Sequence, residues 1–188
     1  PLFSDEAHRE QRHGEQEHRG CGGERRRGDE LRRPGRVRHL HELGHTRIAT
    51  IAGPSNTKPG ADRTLGFHAE MRELGLEIPR GYELEGDFYP ESGERAMQSL
   101  LRLAEPPTAV FAAADMMAVG AIRTMHAAGL SVPGDLAIVG FDDIRLAELL
   151  SPPLTTVRQD MVGIGLAAGR ALVEQIENPD VTPPVLTL

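Results

Sequence analysis

Cysteine is almost absent from this chain: its 188 residues carry one, Cys21, so no disulfide can form within it and nothing marks an oxidising compartment. Tryptophan is missing, tyrosine occurs twice and phenylalanine five times, so a nucleic-acid surface built on base stacking has little to draw on. No apolar run approaches the roughly 20 residues that span a bilayer, and the opening PLFSDEAHREQRHG lacks the apolar centre of a signal peptide. The expectation is a cytoplasmic protein that is neither secreted nor held in a membrane. A basic excess is lacking too. The formal net charge is −7, and because residues 1 to 36 hold nine arginines against eight acids, the surplus of acid lies in the remainder of the chain. An acidic surface repels a phosphate backbone, so residues 37 to 188 are not expected to bind nucleic acid by charge.

Residues 1 to 36 consist of Arg, Glu, Gly, His and Gln with few apolar side chains (Leu2, Phe3, Ala7, Cys21, Leu31) and no helical or strand period. Such a segment buries too little to fold, and it reads as a solvated, disordered tail or as a stretch translated out of frame. The run Glu24-Arg25-Arg26-Arg27 is offset by interleaved glutamates. His8, His13 and His18 recur at intervals of five, which match no helical face, so no metal site is expected there.

From Val37 onward, short apolar runs alternate with amphipathic stretches, the pattern of βαβ units around a parallel sheet. Residues 37–43 read as the end of a helix stopped by Gly44, 47–53 as a strand and 61–75 as a helix with a glycine terminus. Strand 82–88 leads into helix 90–104, strand 108–114 into helix 115–129, and strand 136–142 into a short helix near 145–150. A strand at 154–159 then feeds a helix over 161–177, and the closing Val185-Leu-Thr-Leu188 resembles the first half of another strand. The helix after Asp115 is apolar nearly all round, so it needs cover beyond the sheet, either from a partner subunit or from another part of the same chain.

The most informative stretch is Leu136–Asp143, LAIVGFDD: a buried parallel strand that ends in two adjacent carboxylates. Ligands of open α/β sheets bind outside the carboxyl ends of the strands, which places Asp142 and Asp143 at a candidate cleft. A carboxylate there accepts hydrogen bonds from hydroxyl or amine groups; the alternative for either acid is capping of the following turn. The two do not form a glycosidase pair, because neighbours on a strand point to opposite faces. No nucleophile elbow or phosphate-cradling loop is present; Gly163, Gly165 and Gly169 lie within a helical pattern. His41 and His45 lack a third ligand and read as surface residues.

Taken in order, ELGHTRIATIAGP, Arg63-Thr-Leu-Gly66-Phe67, GDFYPESGERAM, AADMMAVGAIRTMHAAGLSVPGDLAIVGFDD and PPLTTVRQD resemble the effector-binding half of LacI/GalR-family transcription regulators over roughly residues 38 to 188. The resemblance implies a periplasmic-binding-protein-like architecture in which two α/β subdomains clamp a small effector, while a helix-turn-helix reads an operator as a dimer. Residues 37–188 correspond mostly to the second subdomain, with helix 161–177 belonging to the first. The helix-turn-helix and the rest of the first subdomain have no counterpart, so the chain is expected to be N-terminally incomplete.

The same resemblance implies roles for individual residues. Arg63 matches an arginine that holds effector hydroxyl or carboxylate groups, a role suited to a planar fork of donors; otherwise it is an exposed helix arginine beside Asp62. Phe88 stands where the family sets an aromatic against the ligand ring, with Tyr89 able to share that role. Asp142 matches the cleft aspartate, and Asp143 is read as structural. Asp115 is a candidate effector contact, although capping of its own helix is the favoured reading. The family commonly has asparagine just before that aspartate, whereas here Ala114 stands. The function expected is that of a fragment of a transcription regulator that senses a small metabolite, most simply a sugar, and dimerises. No catalysis and no cofactor are expected; the competing reading is a stand-alone sugar- or solute-binding protein.

Overall fold

Three strands whose every residue or nearly every residue is apolar form the middle of the sheet, because strands covered on both faces have no need of polar alternation. The computed structural model describes residues 35–179. In it, β1 (Ile48–Ala52) and β3 (Ala109–Ala112) are buried throughout, and β4 (Ala137–Asp142) is buried until its last two residues. The edge strands β2 (Glu83–Glu85) and β5 (Thr155–Arg158) are largely exposed. All pairings are parallel, in the order β2-β1-β3-β4-β5. The helices are α1 (Arg36–Glu42), α2 (Lys58–Glu73), α3 (Pro90–Leu101), α4 (Asp115–Ala127), α5 (Arg145–Leu149) and α6 (Met161–Glu177). The four strand-then-helix units and the final strand and helix match the sequence expectation; Val185–Leu188 and the three N-terminal histidines lie outside the described residues.

Helix α2 begins at Lys58 rather than at 61. Pro59 and Gly60 look like breakers, but the Thr57 hydroxyl accepts the Gly60 N–H at 3.2 Å and proline is tolerated in a first turn. The helix stops as expected: Gly75 takes φ +66°, and the Leu76 N–H donates back to the Met71 carbonyl at 2.9 Å. Arg36, assigned from composition to the tail, is instead the first residue of α1 and packs on the sheet.

The all-round apolar α4 is covered inside the chain over most of its surface, with Met116 left 36% exposed. A side-chain carbon at Gly93 would strike the Met117 carbonyl, and one at Gly120 would strike the Pro90 carbonyl, so α3 and α4 meet backbone to backbone. Met117, Ala121, Ile122 and Met125 are buried as a result. Of the two expected sources of cover, another part of the same chain supplies that of the buried residues. Helix α6 has no buried residue among the described ones; Val162 and Ile176 are 74% and 69% exposed. No helix among the described residues is long and apolar enough to cross a membrane.

The close approach of α3 and α4 makes Gly120 a sensitive position. Gly120→Ala is expected to lower the unfolding free energy by about 1–3 kcal/mol, the usual cost of overpacking, readable as a fall in the urea midpoint at unchanged slope.

Candidate functional site

The carboxyl ends of β1, β3, β4 and β5 meet the first turns of α2 and α4 in one place. Arg63, on the second turn of α2, reaches it across Phe141: its guanidinium carbon lies 4.0 Å from the Phe141 ring centroid and 5.5 Å from that of Phe88. Its Nη1 donates to the Ala113 carbonyl at the end of β3, and its Nη2 lies 3.1 Å from Asp142 Oδ1. Gln159, just past β5, donates from Nε2 to the same Oδ1 at 2.5 Å. Thus Arg63, Phe88 and Asp142 come together as expected, with Phe141 and Gln159 added. Both additions lie inside the motifs FDD and TTVRQD, but neither carries a charge that would have drawn attention.

Burial opposes charge on both members of the central pair. It pushes the Asp142 carboxyl above the usual aspartate range despite the attraction of Arg63 and the hydrogen bond from Gln159. It likewise lowers the Arg63 guanidinium, with Asp142 working in the opposite direction. Each side chain stays partly open, 14% for Arg63 and 27% for Asp142, so a ligand can reach the charges.

The backbone is strained at the same point. The non-glycine residues with positive φ among the described ones are Phe88 (69°), Asp142 (124°) and Asp143 (57°), conformations that cost about 1–3 kcal/mol each and gather at ligand clamps. At Phe88 the turn presses the ring against the backbone of Gly53, where any side chain would collide with it. At Asp143 it turns the carboxylate to Arg158, whose Nε donates to it, which supports the structural reading of that residue.

Asp115 and Tyr89 are placed differently. Asp115 is fully buried and does not cap α4 by its side chain. Its Oδ1 accepts the Thr156 hydroxyl at 2.5 Å and its Oδ2 the Ile144 N–H at 2.9 Å, so it clasps β5 and the loop after β4 beneath the cleft. The capping reading gives way because β4 and β5 supply donors that compete with the helix's own. Tyr89 is 67% exposed at the start of α3, and no ring stacking or side-chain hydrogen bond joins it to Arg63, Phe88 or Asp142 among the described residues. His41 and His45, expected at the surface, are half-buried; His45 Nδ1 lies 3.0 Å from Thr108 Oγ1, and burial lowers its pKa. No group of three or more metal-ligating side chains occurs among the described residues.

Asp115→Ala leaves the Ile144 N–H and Thr156 hydroxyl unpaired and is expected to cost about 1–3 kcal/mol per orphaned donor, measurable by denaturant unfolding. Because the Asp142 pKa is raised in the folded state, the native protein binds the proton more tightly than the unfolded chain, so stability contributed by this group is present at low pH. It is lost as pH rises from the ordinary aspartate value, about 3.9, through the raised one. Wild type is therefore expected to lose stability relative to Asp142→Asn across that window, and a flat difference would contradict the assignment.

The model for the periplasmic binding protein-like domain matches residues 37–188. Among curated relatives, the HTH-type transcriptional repressor PurR of Klebsiella pneumoniae is 43% identical over 141 residues, covering 75% of this chain and 41% of the relative. The ribose operon repressor of Escherichia coli is 43% identical over 143 residues, covering 76% and 43%. The chain thus spans about two fifths of the length of these relatives. Among solved structures, a regulatory protein of LacI family from Chloroflexus aggregans superposes with TM-score 0.72 at 37% identity, covering 77% of this chain and 52% of the other. The transcriptional regulator CelR–cellobiose complex gives 0.73 at 41%, covering 78% and 45%. With the fold, the matched segment and these likenesses in agreement, the chain belongs to the periplasmic binding protein-like domain family, in the form found in LacI/GalR-type regulators.

Proposed function

We propose that this chain is the effector-sensing part of a LacI-type transcription regulator, that it binds a small polyhydroxylated metabolite without turning it over, and that Arg63, Asp142 and Phe88 make the decisive contacts. The carrying observation is the Arg63–Asp142 pair, 3.1 Å apart at the carboxyl ends of parallel strands and flanked by Phe88 and Phe141. A guanidinium offers donors and a carboxylate offers acceptors, so the pair reads adjacent hydroxyls in both senses, while an aromatic face covers the apolar side of a sugar ring. A relative that represses a ribose operon and a structural neighbour in complex with cellobiose favour a sugar over other metabolites. Gln159 fixes the Asp142 carboxylate, and Asp115 holds the floor beneath it.

In this reading the regulator works in the cytoplasm as a homodimer, and effector binding shifts the closure of two subdomains. Operator recognition belongs to a helix-turn-helix, which is not among residues 35–179. A titration of the full chain against pentoses, hexoses and disaccharides by calorimetry tests the site: Asp142→Asn and Arg63→Met are each expected to weaken binding about 10- to 100-fold, the worth of a hydrogen bond to a charged group. Sugar binding that ignores both substitutions would contradict the proposal. The 188-residue chain alone is expected to show no sequence preference for DNA in a mobility-shift assay; tight binding to one sequence would overturn that assignment.

A further inference from the structure

Arg36 is the cation near the cleft whose charge is least answered. Its guanidinium carbon lies 5.2 Å from the Phe111 ring centroid and 4.9 Å from that of Phe141. Its Nη1 is closed off from solvent with no hydrogen-bond partner among the described residues. The carboxylate beside it, Glu70, stands 4.0 Å from Nε, beyond hydrogen-bond reach, and Glu70 Oε2 is occupied by the Val37 and Arg38 N–H groups at 2.9 and 3.3 Å. Two aromatic faces attract a cation but do not neutralise it.

The same side chain, 22% exposed, lines a cavity of about 550 Å³ together with Lys58, Asp62, Arg63, Phe141 and Gln159. Lys58 is answered by Asp62 at 2.8 Å and Arg63 by Asp142 at 3.1 Å. Arg36 is the least closely paired of the three, with only Glu70 at 4.0 Å, and the lining itself carries three cations against one carboxylate, Asp142 and Glu70 lying outside it, in a chain of net charge −7. A cavity of that sign in an acidic protein selects for negative charge. A neutral ligand would leave the guanidinium with only the long 4.0 Å contact to Glu70 as its counter-charge.

We infer that the ligand of this cleft carries an anionic group, a carboxylate or a phosphate on a polyhydroxylated body, and that Arg36 is the residue that distinguishes it from the neutral sugar. The inference rests on the effector-sensing reading of this cleft and adds the charge class of the ligand.

Calorimetric titration of the full chain with ribose and glucose, their terminal phosphates and their aldonates, at low and moderate salt, tests it. The expected result is that the phosphate or the aldonate binds about 10- to 100-fold more tightly than its neutral parent, with an advantage that shrinks as salt rises. Arg36→Met, which keeps the stem between the rings, is expected to bring the affinities of the acidic and neutral forms together, the readout being their ratio within each variant; Arg36→Lys is expected to retain part of the difference. Which anion gains tells phosphate from carboxylate. Neutral sugars that bind as well as their acidic forms, or an advantage that survives Arg36→Met, overturn the inference and leave the effector site standing. Silence from every compound, or binding that ignores Asp142→Asn and Arg63→Met, overturns both.

Discussion

Two guanidinium groups stacked on phenylalanine rings tie the cleft to the core. Four of the five phenylalanines take part: Phe67 stacks on Phe111 at 6.4 Å, Arg36 sits against Phe111 and Phe141, and Arg63 sits against Phe141 and Phe88. The series starts in the buried interior, where Phe67 and Phe111 are 1% exposed, and ends at the half-open Phe88. A cation is attracted by the quadrupole of a ring face, and here the sheet holds those faces in place, because Phe111 and Phe141 stand on neighbouring parallel strands. Arg63 is thereby positioned before any ligand arrives, which spares the ordering cost of a long side chain on binding.

The strained backbone fits the same account. Asp142 and Phe88 hold positive φ at the end of β4 and just past β2, where a relaxed strand would carry both side chains elsewhere. The distortion persists because its surroundings over-determine it: Gln159 and Arg63 hold Asp142, the Thr156 hydroxyl accepts the Asp143 N–H at 3.3 Å, and Asp115 anchors Thr156 in turn. The buried clasp of Asp115 thus supports the site from within the fold: the residue is closed to solvent, and each of its oxygens accepts a hydrogen bond from the loop after β4 or from β5.

Much of this was legible in the sequence. Buried parallel strands betray themselves by unbroken apolar runs, so β1, β3 and β4 could be placed from IATIA, AVFA and AIVG, and the glycine stops of α1 and α2 follow from backbone sterics. Asp142 was legible because ligands of open parallel sheets gather at the carboxyl ends of the strands, whereas Arg63 and Phe88 were legible only through the family resemblance. Asp115 was not, because its partners, Thr156 and Ile144, are 41 and 29 residues away and only tertiary pairing brings them near. Arg36 was hidden for a different reason: composition assigned it to the arginine-rich segment, and nothing local reveals that its aromatic neighbours lie across the sheet.

The central claim is that ligand recognition is concentrated where Arg63 meets Asp142. Its most direct measurement is the arginine Nε–H and glutamine side-chain amide region of the ¹⁵N spectrum during titration with a sugar panel. The account predicts that the Arg63 and Gln159 signals shift together and saturate at one ligand concentration. Binding that leaves both signals in place while residues elsewhere on the surface respond would contradict it.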